Sequence, residues 1–540
     1  MTDIEIPLGK RSVFYRLFEM LPALLSYSLI LIPIIMSIVN PFIAAIFIVG
    51  YDTMWFVKAV AIAYRMTQGF NVMRRAQLVD WLQRLHDLDD VDKTIENLKN
   101  QKSTKWQINT HYNNLLKVAA NKSLYYKPND VFNAVIIPFY SEGFDVLDPT
   151  VKSILDSHYD RKNIILILAY EERGGEPASE LANALVEKYG NNFYHMEAVM
   201  HPKDIKYEVI GKGGNITFAG RHLQNFLKKK NIDPDKVIVT TFDADNRPHP
   251  SYLACVTYEY ILIGPEHIKR AFQPISIYMS NIWDVPAPMR VLATGNSFWN
   301  IINSVRPHML RNFSSHSQGM SSLIATDFWS VRTIVEDGHQ YWRSYFTFDG
   351  DYDVVPIYLP VYQDAVLSET YYKTIKAQFI QLRRWAYGAS DIAYVAEKGF
   401  HSKNKMPKLP LLGRFLRLIE GHVSWASASI IVTFGAWAPL FLNHEAQHSI
   451  VANELPFVAS QLQLFATGGL FLVIFLSMRM LPPRPRRYRR HRHLFMLLQW
   501  AIMPVVSICY GSVSAFNAQT RLLFGRYLDK FDLTVKVVKK

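Results

Sequence analysis

The sequence predicts an α/β domain with a largely parallel sheet, set between hydrophobic helices at both ends of the chain. Three observations predict it. Strand-like and helix-like segments alternate from Asp130 onward, which is the signature of parallel strands joined by crossover helices. The strand-like runs end in polar residues: Tyr140 and Glu142, then Glu171 and Glu172, then Asp243 and Asp245. In parallel sheets the carboxyl ends of the strands are where ligands sit. The third observation is five long apolar runs outside this region: Leu21–Val39, Phe42–Ala63, Val423–Leu442, Phe457–Met478 and Leu494–Val513. At about 1.5 Å per residue each is long enough to cross a hydrocarbon core.

Taken in order, 1–65 reads as N-terminal transmembrane helices. The first run is too long for a cleavable signal peptide, and a second follows at once. Residues 66–128 form a helical connector, with Val72, Leu78, Trp81, Leu82 and Leu85 at helical spacing among many charges. The α/β domain occupies 129–395. Its strands are "VFNAVIIPFYSE", "NIILILAYEER" and "KVIVTTFDAD", with "PASELANALVEKYG" as a helix between the second and third. An interfacial segment, 396–422, leads to the C-terminal transmembrane helices, 423–517, and a basic tail, 518–540.

Charge sets the orientation. Lys10, Arg11 and Arg16 precede the first run, Asn443–Pro456 has no Lys or Arg, and Arg479–His493 has seven Arg. The positive-inside rule places the N-terminus, the middle domain and the Arg-rich loop in the cytoplasm. His491 and His493 are read with that loop rather than as metal ligands. Five crossings would put the tail after Val513 outside, yet it carries six basic residues. Pro504 marks the last run as the one expected to be re-entrant or interfacial. The net charge of +13 fits cytoplasmic loops on anionic lipid, not nucleic-acid binding. Two cysteines, Cys255 and Cys509, supply no disulfide framework and fit a reducing compartment.

Asp243 and Asp245 lie at i and i+2, which on a strand is one face. Two carboxylates so close repel unless a cation lies beside them. Mg²⁺ or Mn²⁺, held by one or two carboxylates and substrate phosphates, meets that need. Upstream, "IGKGGNITFAGR" (Ile210–Arg221) places two glycines after Lys212 and before an apparent helix, a combination that suits phosphate oxygens. It lacks the Walker spacing. Downstream, "IVEDGHQYWR" sets Glu336 and Asp337 before a helix, where acids are favourable on dipole grounds alone. In "KAQFIQLRRWAYG", Gln381, Arg384 and Trp385 share one helical face. Gln binds hydroxyls, Arg binds phosphate as a fork, and Trp offers a flat face to a sugar ring. An amphipathic interfacial helix is a compatible reading of the same stretch. Glu420 and His422 stand at the mouth of the third run, and Asp52, mid-run, should face a polar interior.

In this order the motifs resemble those of membrane-embedded family-2 glycosyltransferases of the cellulose synthase, hyaluronan synthase and chitin synthase kind, over roughly Asp130–Ala393 and the spans on both sides. The resemblance implies a GT-A, Rossmann-like catalytic domain inserted between transmembrane helices. "VIIPFYSE" is similar to the opening strand and nucleotide loop, which implies Tyr140 and Glu142 at the nucleoside, with Glu171 at the base. "GKGGN" is similar to K-A-G-N and implies Lys212 at the diphosphate. "DAD" matches D-x-D, with Asp243 at the nucleotide and Asp245 on a Mg²⁺ or Mn²⁺ ion. "VED" is similar to T-E-D and implies Asp337 as general base. "QLRRW" matches Q-x-x-R-W, with Gln381, Arg384 and Trp385 at the acceptor and diphosphate. Val335 stands for the Thr of T-E-D, "AYEER" stands where many members carry paired aspartates, and Gln273–Ser322 carries no readable acceptor motif.

The resemblance implies an inverting, metal-dependent hexosyl or N-acetylhexosaminyl transferase using a nucleotide-diphosphate sugar, a UDP-sugar first. It implies processive synthesis of a polysaccharide at a bacterial inner or plasma membrane, with a glycan or lipid-linked acceptor, room for an accessory subunit and no nucleic-acid partner. The alternative is transfer of a single sugar to a lipid. A transporter or receptor that only binds nucleotide leaves the ordered motifs unexplained.

Overall fold

The computed structural model describes residues 4–99 and 106–528. Part of the expected connector, 100–105, and the basic tail beyond 528 lie outside the described residues. The chain divides into two compact units. The first comprises Met1–Ile6, Phe70–Ile277 and Asn303–Asp364; the second comprises Pro7–Gly69, Tyr278–Ile302 and Ala365–Lys540.

The first unit is built on an eight-stranded sheet. Its strands are β1 Phe132–Phe139, β2 Ile164–Glu171, β3 His195–His201, β4 Val237–Thr241, β5 Arg247–Pro248, β6 Arg270–Ile277, β7 Ser317–Gly319 and β8 Asp353–Tyr362. The spatial order is β3-β2-β1-β4-β7-β6-β8-β5. The half predicted from sequence is parallel: β1 pairs with β2 and β4, and β2 pairs with β3. Beyond it β6 and β8 pair in parallel as well, and only short ladders run antiparallel: β7 with β4 and β6, and β5 with β8. The sheet is largely parallel, as expected, with antiparallel pairing confined to its short strands.

Alternation along β1 and β2 explains why both strands read as continuous apolar runs. Val135, Ile137, Leu166 and Leu168 enter one core; Ala134, Ile136, Ile165 and Ile167 enter another on the opposite face. Both faces are covered, so residues 134–139 and 164–169 are apolar throughout. The helix Lys212–Lys230 covers the second face through Ile216, Ala219, Leu223 and Leu227, spaced at one helical stripe.

Among the described residues the second unit holds five helices long and apolar enough to cross a membrane: Val13–Val39, Pro41–Ala76 (whose last residues, from Phe70, belong to the first unit), Lys408–Leu442, Ile450–Met480 and Arg492–Leu523. The start of the first meets the end of the last. Arg16 donates from Nη1 to the carbonyl of Leu522 and from Nη2 to that of Leu523, both at 3.0 Å. Glu19, fully buried, pairs with Arg11 and Arg16 and accepts from the Tyr527 hydroxyl at 2.9 Å. These carbonyls are the ones a helix end leaves unpaired, and a cation belongs there. At the other end of the first helix, the Asn443 side-chain amide donates to the Ile38 carbonyl at 3.1 Å. Gln519 donates to the carbonyl of His422 at 2.9 Å, so the last helix ends beside the mouth of the third. A 3₁₀ turn at Gln499–Ile502 and a π turn at Ser507–Ser512 flank Pro504. Asp52 is turned into the protein, 4% exposed, with neither carboxylate oxygen hydrogen-bonded among the described residues. Glu420 pairs with Lys58 at 2.6 Å.

Candidate active site

Three separately read segments of the first unit converge on the Lys212 ammonium. Its Nζ lies 2.9 Å from Asp243 Oδ1, 3.4 Å from Asp337 Oδ1 and 3.9 Å from Glu336 Oε1. Burial alone would lower the pKa of this lysine. The attraction of Asp243, Asp337 and Glu336 outweighs that, and the ammonium is held well above the ordinary lysine range.

The local chain explains each placement. The helix bearing Lys212 begins at Lys212 itself, so Gly213 and Gly214 occupy its first turn rather than a preceding loop as the sequence suggested. The glycines serve close approach: a Cβ on Gly213 would stand 2.3 Å from the Ser330 carbonyl oxygen, and one on Gly214 would stand 2.6 Å from Glu208 Oε2. The helix Glu336–Thr347 likewise starts at the site, with Glu336 and Asp337 in its first turn rather than before it. Neither helix has a side-chain cap at its start. Two helix N-termini thus bring unfilled amides and positive dipole ends to one place.

The two acids of D-x-D lie beyond the end of their strand. β4 ends at Thr241, and Asp243–Asn246 forms a turn closed by the Asn246 N–H on the Asp243 carbonyl at 3.0 Å. The strand geometry that would aim both side chains one way is therefore absent. Asp243 faces Lys212 and accepts from the Ser314 hydroxyl at 2.5 Å. Asp245 is 1% exposed and accepts from the Asp364 N–H at 2.9 Å. Among the described residues no three His, Cys, Asp or Glu side chains group as a metal cage. Asp243 and Asp245 nonetheless offer hard carboxylate oxygens beside Lys212. That donor set fits Mg²⁺ or Mn²⁺, which completes its shell with water and phosphate rather than protein.

Around the ends of β1 and β2, Glu142 folds back on its own loop, where its Oε2 accepts from the N–H of Tyr140 at 2.9 Å and of Ser141 at 3.1 Å. Tyr140 is half-buried, and its carbonyl packs against Gly174, where a Cβ would come within 2.4 Å. Glu171, the last residue of β2, has Oε2 at 3.2 Å from His201 Nδ1. His201 Nε2 meets Glu208 Oε2 at 3.1 Å. Burial opposes the imidazolium, but hydrogen bonds to Glu171 and Glu208 override it and lift the pKa from 6.5 to about 9. Gln381, Arg384 and Trp385 share a face of the helix Tyr371–Ala386 in the second unit. There Gln381 accepts from the Gln378 amide at 3.1 Å, and the Trp385 and Tyr278 rings lie 6.0 Å apart.

His316 was not found by sequence reasoning. Fully buried just before β7, it has Nδ1 at 4.0 Å from Asp337 Oδ1. Nδ1 donates to the Phe313 carbonyl at 2.9 Å, and Nε2 accepts from the Trp329 indole at 3.2 Å. These partners fix the neutral tautomer, in line with a pKa lowered chiefly by burial. No local pattern marks His316; only the pairing of β7 with β4 brings it to the site.

No protein-family model and no curated protein matches the chain. Among solved structures it is similar to the mannosyltransferase PcManGT of Pyrobaculum calidifontis in complex with GDP-Man and Mn²⁺, at 16% identity over 74% of this chain and 94% of that one, with a TM-score of 0.37. It is also similar to residues 1–349 of TarS from S. aureus in complex with UDP-GlcNAc, at 11% identity over 74% and 93% of the two chains, with a TM-score of 0.36.

Proposed function

We propose that this chain is a membrane-embedded, inverting glycosyltransferase that takes a sugar from a nucleotide-diphosphate donor, a UDP-sugar first, and extends a glycan at the membrane. The observation that carries this reading is the meeting of Lys212 with Asp243, Glu336 and Asp337. Three motifs far apart in sequence supply a phosphate-binding cation, a donor-side carboxylate and a base at one point. A diphosphate arriving at Lys212 and the two helix N-termini adds negative charge beside Asp243, Glu336 and Asp337. A Mg²⁺ or Mn²⁺ held by Asp245, with Asp243 at the nucleotide, would offset the charge of the leaving group. Asp337 accepts the acceptor hydroxyl proton as that oxygen attacks the anomeric carbon. Lys212, released from its carboxylates by the diphosphate, stabilises the departing oxygens. Glu171 takes the base N–H, and Gln381, Arg384 and Trp385 bind acceptor sugar and phosphate.

The proposed topology has four crossings, with both ends of the described chain in the cytoplasm. What supports it is the bonding of Arg16, before the first crossing, to the last carbonyls of the fifth helix. A chain whose first and last apolar helices meet end to start on one side crosses an even number of times. The fifth helix follows the Arg-rich loop, carries two irregular turns and returns to Gln519 beside His422. It lies along the cytoplasmic interface.

The test uses detergent-purified full chain with Mg²⁺ or Mn²⁺ and a panel of UDP- and GDP-sugars, read by nucleotide release and product size, with Asp337→Asn alongside. Release with one donor, lost in the variant, and a ladder of long glycan is expected. A single-sugar lipid product would replace polymerisation with the lipid-acceptor reaction. No release with any donor would remove the transferase reading.

A further inference from the structure

The short segment ahead of the first membrane helix is bound into the first unit, against the loop that joins the two halves of the candidate site. Glu5 pairs with the Arg343 guanidinium, and its other oxygen accepts from the Ser330 hydroxyl at 2.7 Å. The Ile6 carbonyl accepts from Arg332 Nη1 at 2.9 Å, and Ile6 is itself buried. Only six residues separate Ile6 from the start of the helix Val13–Val39.

What Glu5 grips matters more than the grip. Arg343 lies two turns along the helix that opens with Glu336 and Asp337, and its side chain is fully buried. Its Nη2 donates to the Thr326 carbonyl at 2.7 Å, ahead of Asp327 and Phe328, which hold φ of 50° and 58°. Non-glycine residues adopt that region only when their surroundings impose it. Ser330 rests its carbonyl on Gly213, and the Val331 carbonyl accepts from the Val209 N–H at 2.8 Å. One carboxylate thus holds the base-bearing helix through Arg343 and the lysine-bearing helix through Ser330.

We infer that Glu5 is a positioning residue: an N-terminal strap that sets the spacing of Lys212 and Asp337. The inference rests on the base role given to Asp337 above. It also makes the reaction site continuous, along the chain, with the first membrane helix. Without the charge on Glu5, a buried guanidinium loses its carboxylate, and the loop 326–335 is held at one end only.

The experiment compares Glu5→Gln, Ser330→Ala and Asp337→Asn with the unmodified full chain, by donor kinetics and by hydrogen exchange of the loop. Glu5→Gln is expected to lower kcat roughly tenfold, because small misplacement of reacting groups is costly. Its donor KM should stay within about twofold, since the phosphate-binding groups remain. Amides of 328–335 should exchange at least about tenfold faster, while those of β1 and β2 stay protected. Ser330→Ala, which keeps the ion pair, should show the same pattern in smaller measure and covers the case in which Glu5→Gln does not fold. Unchanged kcat and unchanged loop exchange in Glu5→Gln, with Asp337→Asn inactive, would overturn the strap. Full turnover in Asp337→Asn would instead remove the base assignment, and the exchange data would still decide whether the strap exists.

Discussion

At the scale of single residues, Lys212 and His201 are both buried cations held by carboxylates, and each yields a measurement. Lys212 neutralises part of a cluster that otherwise repels itself. Lys212→Met is expected to raise donor KM by about 10–100-fold, the loss of one charge-assisted contact, in initial-rate assays. It should also lower thermal stability, since the ammonium that pairs with Asp243, Asp337 and Glu336 is lost. His201 has a folded pKa raised from 6.5 to about 9 by Glu171 and Glu208 against the opposing effect of burial. A raised pKa means the folded state holds the proton more tightly. Its stabilisation is therefore complete below about pH 6.5 and disappears as pH rises through about 9. Melting curves from pH 6 to 9.5 should show that decline, and His201→Gln should flatten it.

At the scale of elements, the predicted strands were legible where burial on both faces made them continuous apolar runs, as in β1, β2 and β4. The others were hidden for physical reasons. β3 is an edge strand, "HMEAVMH", with one polar face. β8 carries Pro356 and Pro360, and β6 carries Pro274 at a register shift. β7 has three residues and no pattern of its own. The site followed the same division. Lys212, Asp243 and Asp337 were legible because each stands at a strand or helix end with a local motif. The turn that carries Asp243 and Asp245 was not, since it depends on where β4 stops; nor were His316 and Glu5, whose partners lie far along the chain. The glycines after Lys212 were read as lying before the helix and suiting phosphate; they lie in its first turn, in close contact with Ser330 and Glu208. Gly213→Ala, with backbone oxygen in the way, should cost about 1–3 kcal/mol in denaturant unfolding and lower donor turnover in step.

At the scale of the whole molecule, composition segregates cleanly between a sheet-based unit and a unit of long apolar helices, and the sequence showed that segregation directly. The number of crossings was less accessible, because length and hydropathy do not distinguish a helix that crosses from one that lies in the headgroup layer. Tags placed at the two termini decide the matter. With four crossings, both are digested by protease in inside-out vesicles and protected in right-side-out ones; opposite protection of the two tags would require five. Replacing Arg486, Arg487, Arg489 and Arg490 with Gln should weaken retention of the loop on the cytoplasmic side, read by the same protection assay.

The bond from Arg16 to Leu522 joins residues 506 apart. A ribosome adding roughly 5–20 residues per second needs about 25–100 s to travel from one to the other. The carbonyls that receive Arg16 are therefore made long after the side chain that binds them, and the seam between the first and fifth helices forms only once Leu522 and Leu523 have left the ribosome.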